Sequence, residues 1–125
     1  MRKVAVLIAL VLLAACKTEK RYEKPLNTAA TGGGNSDRGK QLITQYGCAS
    51  CHTIPGIKGP KGVVGPPLSN IGSRTIIAGK VQNTPQNMTQ WLQNPQAFDP
   101  GNAMPNLGVS ANDARDIAAY LYTLK

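Results

Sequence analysis

Histidine occurs only once in this 125-residue chain, as do Trp and Phe. A single imidazole excludes a multi-histidine metal cage and a two-histidine zinc site. Acidic groups are also few, 6 Asp and Glu against 14 Lys and Arg, so the formal charge is +8. Aromatics make up 5% of the residues, and there are three cysteines. A chain this short has room for one small domain and none for a large enzyme. It also lacks the run of about 18 apolar residues that a membrane-spanning helix needs. Its longest apolar stretch, Val4 to Ala15, follows the basic Met1-Arg2-Lys3 and is too short to cross a bilayer.

A basic start followed by a short apolar run reads as an export signal over residues 1–15. The run closes on Leu13-Ala14-Ala15-Cys16, which resembles the bacterial lipoprotein signal, where the cysteine is diacylated and becomes the first mature residue. Cys16 is then a lipid anchor, since two acyl chains hold a protein at a membrane surface without a spanning helix. The alternative is an ordinary signal followed by a chance cysteine. The expected product is an exported, membrane-anchored lipoprotein facing the periplasm or the outer cell surface. Residues 16–36 turn charged and then small, with Gly32-Gly33-Gly34, and read as a flexible tether. Disordered, that stretch would reach about 25 Å.

Residues 37–125 remain for the folded domain, and a core of that size is marginal. Between Ile54 and Asn83 the chain is studded with Gly, Pro and single aliphatics that keep no period. Something other than side chains is needed at the centre. The run Cys48-Ala49-Ser50-Cys51-His52 supplies a candidate, because C-x-x-C-H reads as covalent c-type haem attachment. Thiols at i and i+3 share one side of a helical turn, and the next residue brings an imidazole to the iron. A redox-active disulfide expects a βαβ context that is absent, and a zinc site lacks a fourth ligand. For a sixth ligand the candidates are Met104, before Pro105 in a loop, and Met88, at helical spacing from Leu92. A five-coordinate iron is the third possibility.

Three helices are legible. Ser36 can cap one that begins at Asp37 and runs through Leu42 and Ile43 to Gly47. Thr84 caps a second with Pro85 at its first position, ending before Pro95. Ser110 and Asp113 resemble a capping box for a third, with Ile117, Tyr120, Leu121 and Leu124 as its apolar stripe. No strand pattern of useful length appears, so the expected class is all-α, three to five helices wrapped around one haem.

The order of these motifs, with Gly65-Pro66-Pro67-Leu68, Arg74, Trp91, Met104-Pro105 and Ala119-Tyr120-Leu121, resembles a class I cytochrome c over the whole domain. Ile71-Gly72-Ser73-Arg74, Asn83-Thr84-Pro85, Asn94-Pro95-Gln96 and Pro100-Gly101-Asn102 resemble more narrowly the cytochrome c domain fused to subunit II of caa-type haem-copper oxidases. That resemblance implies covalent haem c on Cys48 and Cys51, with His52 and Met104 as iron ligands. It further implies that the Pro66 carbonyl accepts the Nδ1 proton of His52, and that Arg74 and Trp91 donate to a haem propionate. Gly39 and Tyr120 match the positions where the first and last helices cross.

A His/Met iron has no open position for substrate, so the expectation is a single-electron carrier and not an enzyme. Lys58, Lys61, Arg74 and Lys80 fall in a span, residues 53–97, without an acidic residue. Such a basic rim would steer the carrier toward an acidic face of a respiratory partner, a quinol-oxidising complex or a haem-copper oxidase. Nucleic acid is not expected, since no basic helix with interleaved aromatics is present. A fixed haem subunit of a respiratory complex, and a small haem enzyme or gas sensor, are the competing readings.

Overall fold

The computed structural model describes residues 31–125, so Cys16, the export signal and most of the expected tether lie outside the described residues. Four helices and one minute ribbon form the fold: α1 (Ser36–Gln45), β1 (Ile76–Ile77), β2 (Val81–Gln82), α2 (Pro85–Gln93), α3 (Pro95–Phe98) and α4 (Ala111–Leu121). Single 3-10 turns at Cys48–Ser50 and Ile71–Ser73 punctuate the long stretch between α1 and the ribbon. The ribbon pairs Ile76 with Gln82 and Ile77 with Val81. At two residues per strand it is too short to leave an alternating pattern, and the class stays all-α.

α1 and α4 cross at the centre. Their contact is close because small residues meet: Ala114 and Ala118 are fully buried on α4, and a Cβ on Gly39 would collide with the Asp116 carbonyl. Leu42, Ile43, Ile117 and Leu121 fill the crossing, and α2 adds Met88 and Leu92. Truncating such a fully buried Ile costs about 2–5 kcal/mol. Tyr120 is buried beside this seam and donates from its hydroxyl to the Pro55 carbonyl at 2.7 Å.

The caps largely follow the sequence, with one correction. Thr84 Oγ1 accepts from the Asn87 N–H at 3.1 Å, and Ser110 Oγ from the Asp113 N–H at 3.1 Å. At α1, however, Asn35 and not Ser36 is the cap, its Oδ1 accepting from the Arg38 N–H at 3.0 Å. Tertiary contacts decide between these neighbours: the Asn35 N–H donates to Asp116 at 2.6 Å, and Ser36 is buried. The end of the expected tether is therefore packed. Thr31 is 3% exposed, and a Cβ on Gly34 would strike the backbone of Arg115.

Asp113 does more than a capping box asks. Its carboxylate meets the Ser110 side chain at the helix start, and it also accepts from the Tyr46 hydroxyl at 2.8 Å and pairs with Arg38, which also pairs with Asp116. These bonds, the Tyr46 hydroxyl first and the Arg38 guanidinium next, hold the Asp113 carboxyl below the usual carboxylate range. Its contribution to stability is complete above about pH 4, the ordinary Asp value, and is lost as pH falls through the depressed pKa. Unfolding titrations in urea at descending pH should thus lose stability below about pH 4, and Asp113→Asn should flatten that decline. Equal pH slopes for the two proteins would remove Asp113 from the account.

Candidate functional site

The two cysteines and the histidine emerge where α1 stops. Gly47, left-handed at φ 70°, turns the chain out of the helix into the 3-10 turn Cys48–Ser50. The N–H groups of Cys51 and His52 both donate to the Cys48 carbonyl, at 3.2 and 3.0 Å. All three side chains are therefore carried by one tight turn. Both thiols are free and half-buried, and Cys48 packs against the core. Burial pushes the Cys48 thiol above its ordinary pKa, which keeps it neutral.

A glycine-rich loop wraps this turn. Gly62 N–H donates to the Ala49 carbonyl at 3.2 Å, Gly65 N–H to the Cys51 carbonyl at 2.8 Å, and Leu68 N–H to the Thr53 carbonyl at 2.9 Å. Side chains would prevent the approach: a Cβ on Gly62 would lie 2.5 Å from Cys51 Cα, and one on Gly65 would lie 2.6 Å from His52 Nδ1. The loop thereby brings the Pro66 carbonyl to 2.8 Å from His52 Nδ1. A carbonyl only accepts, so Nδ1 donates in this bond, and in the neutral ring Nε2 is then the nitrogen that holds the lone pair. The bond fixes both tautomer and ring orientation and makes Nε2 a stronger donor toward a metal.

Arg74 braces the same loop. Its Nη2 donates to the carbonyls of Pro67 and Ser69, at 2.7 and 2.9 Å, leaving Nη1 and Nε for other acceptors. Behind it stands Asn83, to which the sequence assigned no role. Asn83 Nδ2 donates to the carbonyls of Arg74 and Ile71, at 2.7 and 2.8 Å, and its Oδ1 accepts from the Tyr122 hydroxyl at 2.7 Å. Burial pushes Tyr122 up to about 12, so its hydroxyl stays a donor across the physiological range.

The two methionines part company. Met88 is 3% exposed in the core, whereas Met104 is half-buried on the loop between α3 and α4 and packs at the core's edge. Trp91 shares that edge, its ring centroid 6.1 Å from that of Phe98 at a 58° tilt. Its indole N–H donates to no other described residue. An open cleft of about 360 Å³ lined by Gln90, Gln93, Asn94, Ala97 and Phe98 shares no residue with the cysteine-histidine turn and holds no charged group. The basic rim is narrower than its sequence suggests, because Lys80 pairs with Asp99 at 2.7 Å. Lys58 and Lys61 are exposed and form no ion pair among the described residues.

Two free thiols able to add to vinyl groups, on one turn with an imidazole whose Nδ1 is taken up by a carbonyl, define a class: this is a small c-type haem protein. The chain belongs to the cytochrome c family, whose model, described as Cytochrome c, matches residues 36–125. It is accordingly an electron-transfer haem protein, and membership implies haem c attached covalently. Among similar proteins is the cytochrome c oxidase subunit 2 of Alkalihalophilus pseudofirmus, 33% identical over 104 residues, covering 82% of this chain and 28% of that one. The cytochrome c oxidase subunit 2 of Bacillus subtilis is 31% identical over 87 residues, covering 68% of this chain and 24% of that one. The chain thus spans about a quarter of the length of these curated relatives.

The residues present fit the group. Cys48 and Cys51 lie on one turn with His52, and the half-buried Leu68, Trp91, Phe98 and Met104 border the core with apolar surface suited to a flat macrocycle. If Gly65 is the clearance for the His52 ring, Gly65→Ala should displace the imidazole from Pro66. The expected result is a loss of about 1–3 kcal/mol of stability and of the hydrogen-bonded Nδ1–H resonance. An unchanged protein by both measures would overturn the packing argument.

Proposed function

We propose that this protein is a membrane-tethered single-electron carrier of a respiratory chain, loaded with one haem c. The observation that carries the reading is the 2.8 Å bond between His52 and the Pro66 carbonyl. It commits the ring to one tautomer, with Nε2 free to ligate. Cys48 and Cys51 would hold the porphyrin through thioethers, and His52 and Met104 would be the residues that ligate its iron. When bound, haem c supplies a one-electron couple whose ferrous state a thioether ligand favours.

The remaining assignments concern this chain's own donors. The indole N–H of Trp91 and the unused donors of Arg74 are directed at haem propionates, whose charge would otherwise be costly to bury partly. Cys16 carries the lipid that anchors the exported chain at the membrane. The docking face is the basic loop with Lys58 and Lys61, set against an acidic surface of a quinol-oxidising complex or a haem-copper oxidase.

One observation favours a second reading. The relatives named cytochrome c oxidase subunit 2 align with up to 82% of this chain, which supports a fixed subunit of a respiratory complex as the alternative to a free carrier.

Met104→Ala should remove the red-edge absorption band that reports sulfur on ferric iron, and open the ferrous protein to rapid carbon monoxide binding. Retention of the band would exclude Met104 as the ligand. Rapid gas binding by the unaltered protein would favour a haem enzyme or sensor instead. Extraction in mild detergent separates the first two readings. A free carrier elutes alone or in a complex that added salt dissolves and charge reversal at Lys58 and Lys61 weakens. A salt-resistant, stoichiometric complex would establish a fixed subunit.

A further inference from the structure

The Met104 loop contains no helix or strand, yet every backbone polar group of Met104 is held. Its N–H donates to Asn102 Oδ1 at 2.8 Å, and its carbonyl accepts from Gln96 Nε2 at 2.9 Å. Gln96, on α3, does more: Nε2 also donates to the Asn102 carbonyl at 3.0 Å, and Oε1 accepts from the Gly101 N–H at 2.9 Å. Asn102 in turn donates from Nδ2 to the carbonyls of Pro95 and Asp99, tying the loop to the base and end of α3. The base itself is firm, since Pro95 is among the largest fully buried side chains.

The chemistry of the amide makes this arrangement directional. One end of Gln96 faces an N–H and the other faces two carbonyls, so turning the amide over would set oxygen against oxygen. Neither a purely donating Lys nor an aliphatic residue could satisfy both ends. Gly101, at φ 82°, turns the chain so that both ends can be met.

We propose that Gln96 is a positioning residue for the axial ligand: it clamps the backbone on both sides of the 101–104 turn and thereby fixes where the Met104 thioether is presented. Asn102 is its partner within the loop. The inference rests on Met104 being the sulfur ligand, and it adds that the ligand's residence on iron is set by a side-chain amide on α3 and not by regular secondary structure.

The test compares haem-loaded Gln96→Met, which keeps volume and removes three hydrogen bonds, with Gln96→Glu, which keeps the acceptor for Gly101 and loses both donations. Gln93→Met is the control, because Gln93 Nε2 donates only within α2, to the Thr89 carbonyl at 3.0 Å. Each net hydrogen bond is worth about a kcal/mol, so Gln96→Met should raise the rate of carbon monoxide binding to the ferrous protein about tenfold or more. The ferric sulfur band should weaken in parallel. Gln96→Glu, which sets a carboxylate oxygen against the Asn102 and Met104 carbonyls, should be perturbed at least as much as Gln96→Met, and Gln93→Met should match the original. Amide exchange at Gly101 and Met104 should accelerate in Gln96→Met while exchange in α4 does not. An unchanged band, gas-binding rate and exchange in Gln96→Met would overturn the proposal alone. Absence of the sulfur band from the unaltered protein would overturn Met104 ligation and this proposal with it.

Discussion

A proton held on Nδ1 of His52 by the Pro66 carbonyl is the constraint from which most of this structure follows. The carbonyl must arrive within hydrogen-bond reach of a ring that already follows two cysteines on a single turn. That demands a loop lying almost on top of the 3-10 turn, and the loop can lie there only because Gly62 and Gly65 have no side chains. Arg74 then closes the loop behind Pro66, Asn83 supports Arg74, and Tyr122 reaches from the chain's end to hold Asn83. A hydrogen-bonded relay of neutral and cationic groups thus links the carboxyl-terminal segment to the orientation of one imidazole.

The apolar framework is simpler and separable from that relay. α1 and α4 cross through glycine and alanine, and their approach is limited by backbone contact rather than by side-chain bulk. Because α1 runs directly into the cysteine-histidine turn, the crossing also sets where that turn begins. Packing fixes the scaffold, and amide and carbonyl chemistry aims the functional groups.

This division accounts for what could be read in advance. Periodicity located Ile117, Tyr120 and Leu121 on one face of α4, and caps with side-chain oxygens located Thr84 and Ser110, because such signals are local. The C-x-x-C-H spacing announced its own chemistry. The α1 cap was misplaced by one residue, since Asn35 and Ser36 are both competent and a carboxylate 81 positions away decides between them. Asn83, Gln96 and Asn102 lie in or beside irregular segments, where a polar side chain has no period to betray it. Lys80 looked like a free cation because Asp99, its partner, stands 19 residues on.

The burial of Thr31 and Gly34 against α4 bears on how the molecule responds to mechanical load. A pull on the chain ahead of Thr31 meets first this packed strip and the Asn35 to Asp116 bond, which joins the start of α1 to α4 where Arg38 already staples the two helices. Load on that helix pair is shared by many contacts at once, whereas the Met104 loop is tied to α3 through Asn102.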